Sequence, residues 1–487
     1  MTMTRTPLSL LPLLALLGAC SQTPAPLDSG IAAPASWQAP VGGTADSAQW
    51  WTTFNSAQLS QLIEQARQGS HDLRAAMARV RQARADLRIA GGPLLPSLDA
   101  SVDAYQQRLL RGQGYSEQDA SSNEHTYRYF NTALTASYEL DFWGGNAAAR
   151  DSARFGLQAT ALDRDTLELS LTSSVADTFL SALAAREQAR IATLNLENAG
   201  KILSVVRSRF HAGSSTALEL AQQESLVANQ QRQLPLYQQQ ARDAQITLAT
   251  LLGVPVQTLE LADQPFDQLS GPSIAAGIPS QLLTRRPDIA GAEARLAAAQ
   301  ADVSVARAAL FPTLTLTASL ATGDRKAIDL LRNPALNLGA GLTAPIFNNG
   351  ALRASRDRAI ARQDELLETY RGVLITSFGE VEKALNSIDG LDRQTRWQNE
   401  ELAQAQRAFD LAENRYRAGA EDLLSVLEAQ RSLFTAQAER VRLREARLQA
   451  SVALYKALGG GWMASQTSMA AASNGPCRGN CLSQSLK

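Results

Sequence analysis

A change of hydrophobic period at one proline constrains the fold more than any other feature of this chain. Before Pro312, apolar residues recur every three or four positions from Ile289 to Leu310, which is the period of an amphipathic helix. After Pro312, apolar and polar residues alternate from Thr313 to Leu320, which is the period of a strand with one apolar face. The pattern therefore predicts a long helix that leads directly into a strand.

The same pattern occurs 216 residues earlier, where a helical period ends at Pro96 and an alternating stretch follows. Identical residues lie at this single offset, among them Asp72 and Asp288, Arg79 and Arg295, Ala83 and Ala299, Asp86 and Asp302, Ala90 and Ala306, Pro96 and Pro312, and Leu98 and Leu314. Matches at one offset without a gap indicate an internal duplication. We predict a first structural repeat over residues 47–270 and a second over residues 271–462, each with a helix, a strand pair, a long helix and a further helix.

The composition narrows the functional classes. The 46 lysines and arginines balance 47 aspartates and glutamates, so no nucleic-acid partner is expected. No proline occurs between Gly144 and Leu234 or between Ile346 and Gly475, as long helices require. The three histidines and three cysteines are scattered, and no nucleophile, base and orienting group stand out. We expect neither an enzyme nor a protein with a metal or another cofactor.

Long helices and four strands are predicted along the chain. Helices are expected at about 59–91, 146–211 and 217–252. Strands are expected at about 97–104, 130–142, 313–322 and 335–347. Four strands cannot close a barrel, which needs about eight, and lipid does not tolerate an open strand edge. Either the strands lie outside a membrane, or several chains share one barrel.

The first residues predict export and lipid attachment. Residues 1–19 combine Arg5 with an apolar core from Leu8 to Leu17, which is typical of a secretory signal peptide and too short to span a membrane. The end of this stretch resembles a lipobox, so Cys20 is the expected site of diacylglycerol and fatty acyl attachment. The alternative is an ordinary signal peptide that ends near a cysteine.

Two segments lack the pattern of a packed core. Residues 20–46 are rich in proline, alanine, glycine and serine, which predicts a tether behind the lipid. Residues 463–487 are low in complexity and are predicted to be disordered. Cys477 and Cys481 in this tail would meet an oxidising compartment, which permits a disulfide between them, and two surface cysteines without a role are the alternative.

Several short motifs together resemble the TolC-like outer-membrane factor family, in its OprM/NodT lipoprotein branch of RND-type efflux channels. The motifs are the lipobox Leu17 to Cys20, Trp50-Trp51 with Phe54 and Leu59, the run Leu282 to Ile289 with Glu293, Phe311-Pro312, Pro345-Ile346-Phe347, and Arg415-Tyr416 before Gly419. Each motif alone is weak, but the combination is specific. It covers the chain from about Ala45 to Trp462.

The resemblance implies a mainly α-helical protein with a small β part. Three protomers would give four strands each to a 12-stranded β-barrel in the cell outer membrane, and their helices would continue as an α-helical barrel into the periplasm. The implied function is the passive exit duct of a tripartite efflux pump, with a periplasmic adaptor and an inner-membrane transporter as partners. A structural coiled-coil outer-membrane lipoprotein and the exit duct of a type I secretion system are the alternatives.

The resemblance also implies a gate at the periplasmic end. The acidic ring of the family corresponds to Glu428, while Ser425 replaces a second acidic position. A ring of three Glu428 side chains would attract cations. A solvated helix face is the alternative for Glu428. The family contact between a tyrosine of one tip and an acid of the other half corresponds to Tyr416 and Glu219.

Two helix tips are the expected adaptor contacts. They lie around Gly213 with His211 and around Gly419 with Arg417. Glycine allows a close approach of backbones, which favours a docking surface. Simple helix termination at the two glycines is the alternative.

Overall fold

The computed structural model describes residues 28–38, 49–108, 110, 126–272, 274 and 276–462. The signal peptide, Cys20, Cys477 and Cys481 lie outside the described residues. The helices are α1 Ala57–Gly69, α2 His71–Gly91, α3 Gly145–His211, α4 Ala217–Leu252, α5 Leu282–Arg285, α6 Pro287–Ala308, α7 Ala351–Arg417 and α8 Leu423–Ala457. The strands are β1 Ser97–Arg108, β2 Thr126–Leu140, β3 Thr313–Asp324 and β4 Ala335–Thr343.

The same order of elements occurs twice in the described chain. A helix, two strands, a long helix and a further helix follow one another from α2 to α4 and again from α6 to α8. The long helices α3 and α7 both have 67 residues. Their successors α4 and α8 have 36 and 35 residues.

The predicted first helix is in fact two helices that meet at Ser70. Ser70 leaves the helical conformation (φ −58°, ψ 124°), and its hydroxyl accepts a hydrogen bond from the backbone N of Leu73 at 3.4 Å. A Cβ on Gly69 would lie 2.3 Å from the carbonyl oxygen of Leu252, so glycine lets the end of α4 pack closely here. The prediction of one continuous helix was wrong because Ser70 caps the second helix.

One compact unit contains the sheet and comprises the described residues within 1–32, 89–152 and 296–371. Its four antiparallel strands lie in the order β1-β2-β3-β4. β1 and β2 are longer than predicted because their pairing continues as far as Arg108 with Thr126. β4 ends at Thr343 rather than near 347, since Pro345 has no N–H to donate to a neighbouring strand.

The strand register collects the apolar positions of the sheet on one face. One row across the four strands is Leu98, Ala136, Ala318 and Leu338. The next row, on the opposite face, is Asp99, Thr135, Ser319 and Asn337. The leucines of the outer strands are exposed, with 65% of Leu98 and 76% of Leu338 accessible to solvent. The sheet therefore has an uncovered leucine-rich face and a polar face.

The turn from β2 into α3 is fixed to the turn from α6 into β3. The carboxylate of Asp141 accepts hydrogen bonds from the backbone N of Asn146 and of Ala147, at 3.1 and 2.8 Å, and so caps the first turn of α3. The ring of Trp143 stacks on Phe311 with centroids 4.5 Å apart. Its Nε1 donates to the carbonyl oxygen of Pro312 at 2.7 Å. Pro312, where the hydrophobic period changes, is thus held by contacts with the turn that precedes α3.

The second compact unit is mostly helical and comprises the described residues within 33–88, 153–295 and 372–487. Trp50 and Phe54 are fully buried in its core, and the ring of Trp50 stacks on Tyr455 of α8 at 5.2 Å. None of the helices in the described part of the chain combines the length and apolar character needed to cross a membrane.

A buried arginine joins three elements of this helical unit. Arg286 is 7% exposed, and its guanidinium donates to Asp288 at 3.0 and 2.7 Å and to Glu380 of α7 at 2.7 Å. It also donates to the carbonyl oxygen of Ala457 at the end of α8, at 3.0 Å. Burial by itself would raise the pKa of Asp288, but the hydrogen bonds from Arg286 outweigh burial and lower it.

Replacing Arg286 by Leu should destabilise the protein by about 2–3 kcal/mol, because Asp288, Glu380 and the Ala457 carbonyl lose a charged donor. Since the lowered pKa of Asp288 keeps it ionised, this stabilisation is complete near pH 7 and is lost only as the pH falls below about 4. Thermal unfolding followed by circular dichroism in detergent measures the effect. Arg393→Leu, which removes an exposed ion pair to Asp389, is the control and should cost less than about 1 kcal/mol. If both variants lost the same free energy of unfolding, a special role for Arg286 would be refuted.

Candidate functional site

Both predicted tips are helix terminations made by glycine. Gly213 and Gly419 have φ values of 75° and 76°, in the left-handed region. After α3, the backbone N of Gly213 donates to Phe210 and that of Ser214 to Arg209. The corresponding donors after α7 bond in the same way, so each tip is a Schellman motif. Since no heavy atom lies within 4 Å of a Cβ built on either glycine, backbone conformation and not crowding requires glycine here.

The outer residues of the tips are exposed. His211 and Arg417, each at the end of a long helix, lie at the surface. Arg417 donates to Glu413 one turn back, at 2.6 Å. Both side chains are exposed to solvent, and their adaptor contact stays a prediction.

Glu219 caps the first turn of α4. Its carboxylate accepts from the hydroxyl of Ser215 and the backbone N of Thr216, both at 2.7 Å. In return, the hydroxyl of Thr216 accepts from the backbone N of Glu219 at 3.1 Å, which completes a capping box. The bond from Ser215, followed by that from the Thr216 backbone, lowers the pKa of Glu219. The Glu219 carboxylate therefore stays charged in the first turn of α4.

Tyr416 contacts Arg209 of the other tip. Its side chain is buried, with 4% exposed. The guanidinium carbon of Arg209 lies 4.3 Å from the centre of the Tyr416 ring, and Nη2 of Arg209 donates to the Tyr416 carbonyl at 2.7 Å. Burial raises the pKa of Tyr416, although the Arg209 charge opposes this. The hydrogen bonds of Glu219 lie within its own capping box, so a Tyr416–Glu219 contact stays a prediction, while the Tyr416–Arg209 contact is observed.

Ser425 and Glu428 have different surroundings on α8. Asp422 caps this helix, since its carboxylate accepts from the backbone N of Ser425 at 2.9 Å. The hydroxyl oxygen of Ser425 also lies 2.8 Å from the carboxylate of Asp422 and 3.0 Å from that of Glu421, so its single proton can be donated to either one. Glu428 lies one turn further along α8 and is exposed. Ser425 thus completes a helix cap, and the exposure of Glu428 agrees with a charged ring and with a solvated face.

Behind the tips, two fully buried glutamines are incompletely paired. Nε2 of Gln223 donates to the carbonyl of Ala199 at 2.9 Å, but its Oε1 has no hydrogen-bond partner among the described residues. Neither amide atom of Gln430 has such a partner within the described chain. A buried polar group without a hydrogen bond costs about 1–3 kcal/mol. The interior behind the tips is therefore polar at these two positions of α4 and α8.

A polar groove of about 700 Å³ lies along α3, α4 and α8. Amide side chains line it on α3 and α4, and Arg431, Glu439 and Arg442 line it on α8. Arg442 and Glu439 pair with each other, so no isolated charge points into the groove from this pair. Within the residues that the structure describes, no group of three or more histidine, cysteine, aspartate and glutamate side chains could hold a metal ion.

Arg209 is the functional candidate that our sequence analysis missed, although a signal was present. Arg209-Phe210-His211-Ala212-Gly213 and Arg415-Tyr416-Arg417-Ala418-Gly419 share their arginine, aromatic residue, alanine and glycine. The two arginines nevertheless have different partners. Arg415 binds Glu421 of its own tip at 3.1 Å, whereas Arg209 reaches across to Tyr416. The sequence shows that the arginine recurs, but not which of the two joins the tips.

Replacing Arg209 by Leu should loosen the contact between the tips. The loss of two charge-assisted hydrogen bonds, to the carbonyl oxygens of Tyr416 and Arg417, and of one cation–π contact is expected to cost about 1–2 kcal/mol, which corresponds to roughly tenfold faster local opening. Hydrogen–deuterium exchange of peptides around Tyr416 measures the change. Arg207 lies two residues before Arg209 and forms an exposed ion pair with Glu224. Arg207→Leu is therefore the control and should leave exchange near Tyr416 unchanged. The same exchange rate in both variants would contradict the assignment.

Comparison with known proteins identifies the family. A family model described as outer membrane efflux protein matches residues 62–254 and 278–460, more than half of the chain. The pyoverdine export outer membrane protein OpmQ of Pseudomonas aeruginosa is 59% identical over 466 residues, 95% of this chain and 98% of that protein. The cation efflux system protein CusC of Escherichia coli is 32% identical over 418 residues, 85% and 89% of the two chains. The solved structure of the outer-membrane channel OprN has a TM-score of 0.83 at 27% identity and covers 90% of this chain and 98% of that one. The chain belongs to the outer membrane efflux protein family.

Proposed function

We propose that three copies of this chain form the outer-membrane exit duct of a tripartite efflux pump. The observation that carries the proposal is the sheet, which has an exposed leucine-rich face and two outer strands that each pair on one side only in the described chain. The exposed leucines are unfavourable in water, and the free strand edges are unfavourable in lipid, where no water can bond to their backbone groups. Pairing β1 of one copy with β4 of the next removes every edge, and three copies supply twelve strands.

The two faces of the sheet support the same assembly. In the proposed barrel, the leucine-rich face lies against lipid, and the face that carries Asp99 and Ser319 lines the water-filled interior. Trp143 and Phe311, stacked beside Pro312, would lie near the membrane interface, where aromatic side chains are favoured. The recurring element order from α2 to α4 and from α6 to α8 supports an internal duplication of the protomer.

The N-terminal segment supports a lipid anchor on Cys20. The carbonyl oxygen of Ser29 accepts from Nε of Arg371 at 2.7 Å, which fixes this part of the chain to α7. The nine residues from Cys20 to Ser29 can span at most about 30 Å. Twenty residues of α7, from Ala351 to Arg371, rise by about 30 Å. A lipid on Cys20 is therefore within reach of the level at which α7 begins, just after β4.

The exposed tips around Gly213 and Gly419 are the proposed contact surface for a periplasmic adaptor, which would join the duct to an inner-membrane transporter. A structural lipoprotein would not need the alternating sheet faces. The exit duct of a type I secretion system would use the same architecture, but the similarity to OpmQ and CusC favours efflux of small solutes. No catalytic residue is part of the proposal.

Pyoverdine or a closely related compound is the proposed exported solute, on the basis of 59% identity to OpmQ over nearly the whole length of both chains. Expression of this protein in a Pseudomonas aeruginosa strain that lacks OpmQ should restore pyoverdine in the medium and lower its amount in the periplasm. Mass spectrometry of both fractions measures the transfer. CusC, expressed to the same level, is the control and should not restore export. Failure of this protein to restore export, with normal amounts in the outer membrane, would overturn the choice of solute.

Glu428 is the proposed charged ring of the gate. If three exposed carboxylates face one another across the pore, Glu428→Gln should lower the preference for K⁺ over Cl⁻ by about twofold or more, because the ring loses its negative charge. The reversal potential of channels in planar lipid bilayers under a KCl gradient measures this preference. Glu401→Gln, at an exposed position of α7, is the matched control. Equal selectivity in all three proteins would show that Glu428 lies on a solvated face.

A further inference from the structure

Three tyrosines form a cluster at the end of the sheet where β1 leads towards β2. The ring centroids of Tyr105 and Tyr129 lie 5.7 Å apart, and those of Tyr105 and Tyr127 lie 5.9 Å apart. Tyr127 and Tyr129 stack almost parallel, at 5.9 Å and an interplanar angle of 9°. These spacings are typical of aromatic side chains in direct contact. The cluster is therefore a single aromatic surface.

This surface lies on the polar face of the sheet. Tyr105 shares its face of β1 with Asp99 and Asp103, because side chains two residues apart point the same way. On β2, Tyr127 and Tyr129 also lie on the polar face, because their neighbours in sequence point to the leucine-rich face. Aromatic rings that served only to contact lipid would lie on the leucine-rich face instead. In the proposed duct, the cluster faces the water-filled interior near the mouth.

Neighbouring residues of β3 and the following turn shape the cluster. A Cβ on Gly323 would lie 2.4 Å from the hydroxyl oxygen of Tyr129, so glycine leaves the space that this ring covers. The guanidinium carbon of Arg325 lies 5.4 Å from the centre of the Tyr127 ring, within cation–π distance. Tyr129 is thus packed against the sheet, while 50% of Tyr105 is exposed. The cluster has a fixed base, an accessible ring and a positive charge at one side.

We propose that Tyr105, Tyr127 and Arg325 form a binding site for a planar aromatic anion that leaves through the duct. The aromatic part of the solute stacks on the exposed Tyr105 ring, and its anionic group binds the guanidinium of Arg325. Asp103 repels an anion on the other side of Tyr105, so the solute has one orientation. The proposal rests on the trimeric duct described above, in which three such sites surround the mouth.

Block of single channels in planar lipid bilayers tests the site. Naphthalene-2-sulfonate and cyclohexanesulfonate carry the same charge, but only the first is aromatic. The wild-type channel should be blocked by naphthalene-2-sulfonate at concentrations about five- to tenfold below those required of cyclohexanesulfonate. Tyr105→Leu should remove this difference, whereas Tyr105→Phe should retain it. Arg325→Gln should weaken block by both anions.

Tyr138→Leu is the matched control, since Tyr138 lies on the leucine-rich face of β2 and should leave block unchanged. Oligomer bands on unheated gels and the conductance without blocker show whether each variant assembles. If Tyr105→Leu does not assemble, the block measured in Arg325→Gln tests the site instead. Equal block of wild type by the two sulfonates, or unchanged block in Tyr105→Leu and Arg325→Gln, would overturn the site. Absence of channels in the wild type would instead overturn the proposed duct.

Discussion

Backbone hydrogen bonding at the outer edges of β1 and β4 is the constraint on which the rest of the structure depends. Within the described chain, each of these strands has one pairing neighbour, and its exposed leucines share one face of the sheet. A single protomer cannot satisfy the outer N–H and C=O groups, and lipid would make them more costly. The order of elements occurs twice, so that each strand pair is entered from a helix and followed by a 67-residue helix.

Within each compact unit, one contact joins elements that are distant in sequence. The stacking of Trp143 on Phe311, with the hydrogen bond to Pro312, joins the two sites in the sheet unit where a helix and a strand meet. In the helical unit, Arg286 binds the first turn of α6, the side of α7 and the end of α8 at once. Tryptophan suits the first position because its ring can stack while its N–H donates in a defined direction, and arginine suits the second because its guanidinium can donate to several acceptors at once.

The sequence was sufficient for the parts of the fold that depend on periodicity. The change of period at Pro312 and the alternation after Pro96 predicted the strands, and the predicted family is confirmed by the family model. Contacts between distant elements were not predictable. The strand ends were placed at Ala104 and Phe130, inside the observed bounds, so Tyr105, Tyr127 and Tyr129 were all excluded from the sheet. Ser70 was missed because its neighbours on both sides keep a helical period.

The two tips show how similar sequences reach different energetic roles. Both have the same arginine, aromatic residue and glycine, yet only Arg209 binds across to the other tip, while Arg415 binds Glu421 within its own. A reciprocal pair of contacts would hold the tips about twice as strongly, and opening would then have to break both. With one arginine joining the tips, the contact contributes about 1–2 kcal/mol, which favours the observed arrangement only modestly. In a duct of the proposed kind, a small difference of this size could be overcome by a partner, because a partner can supply only the difference between its affinities for the two states.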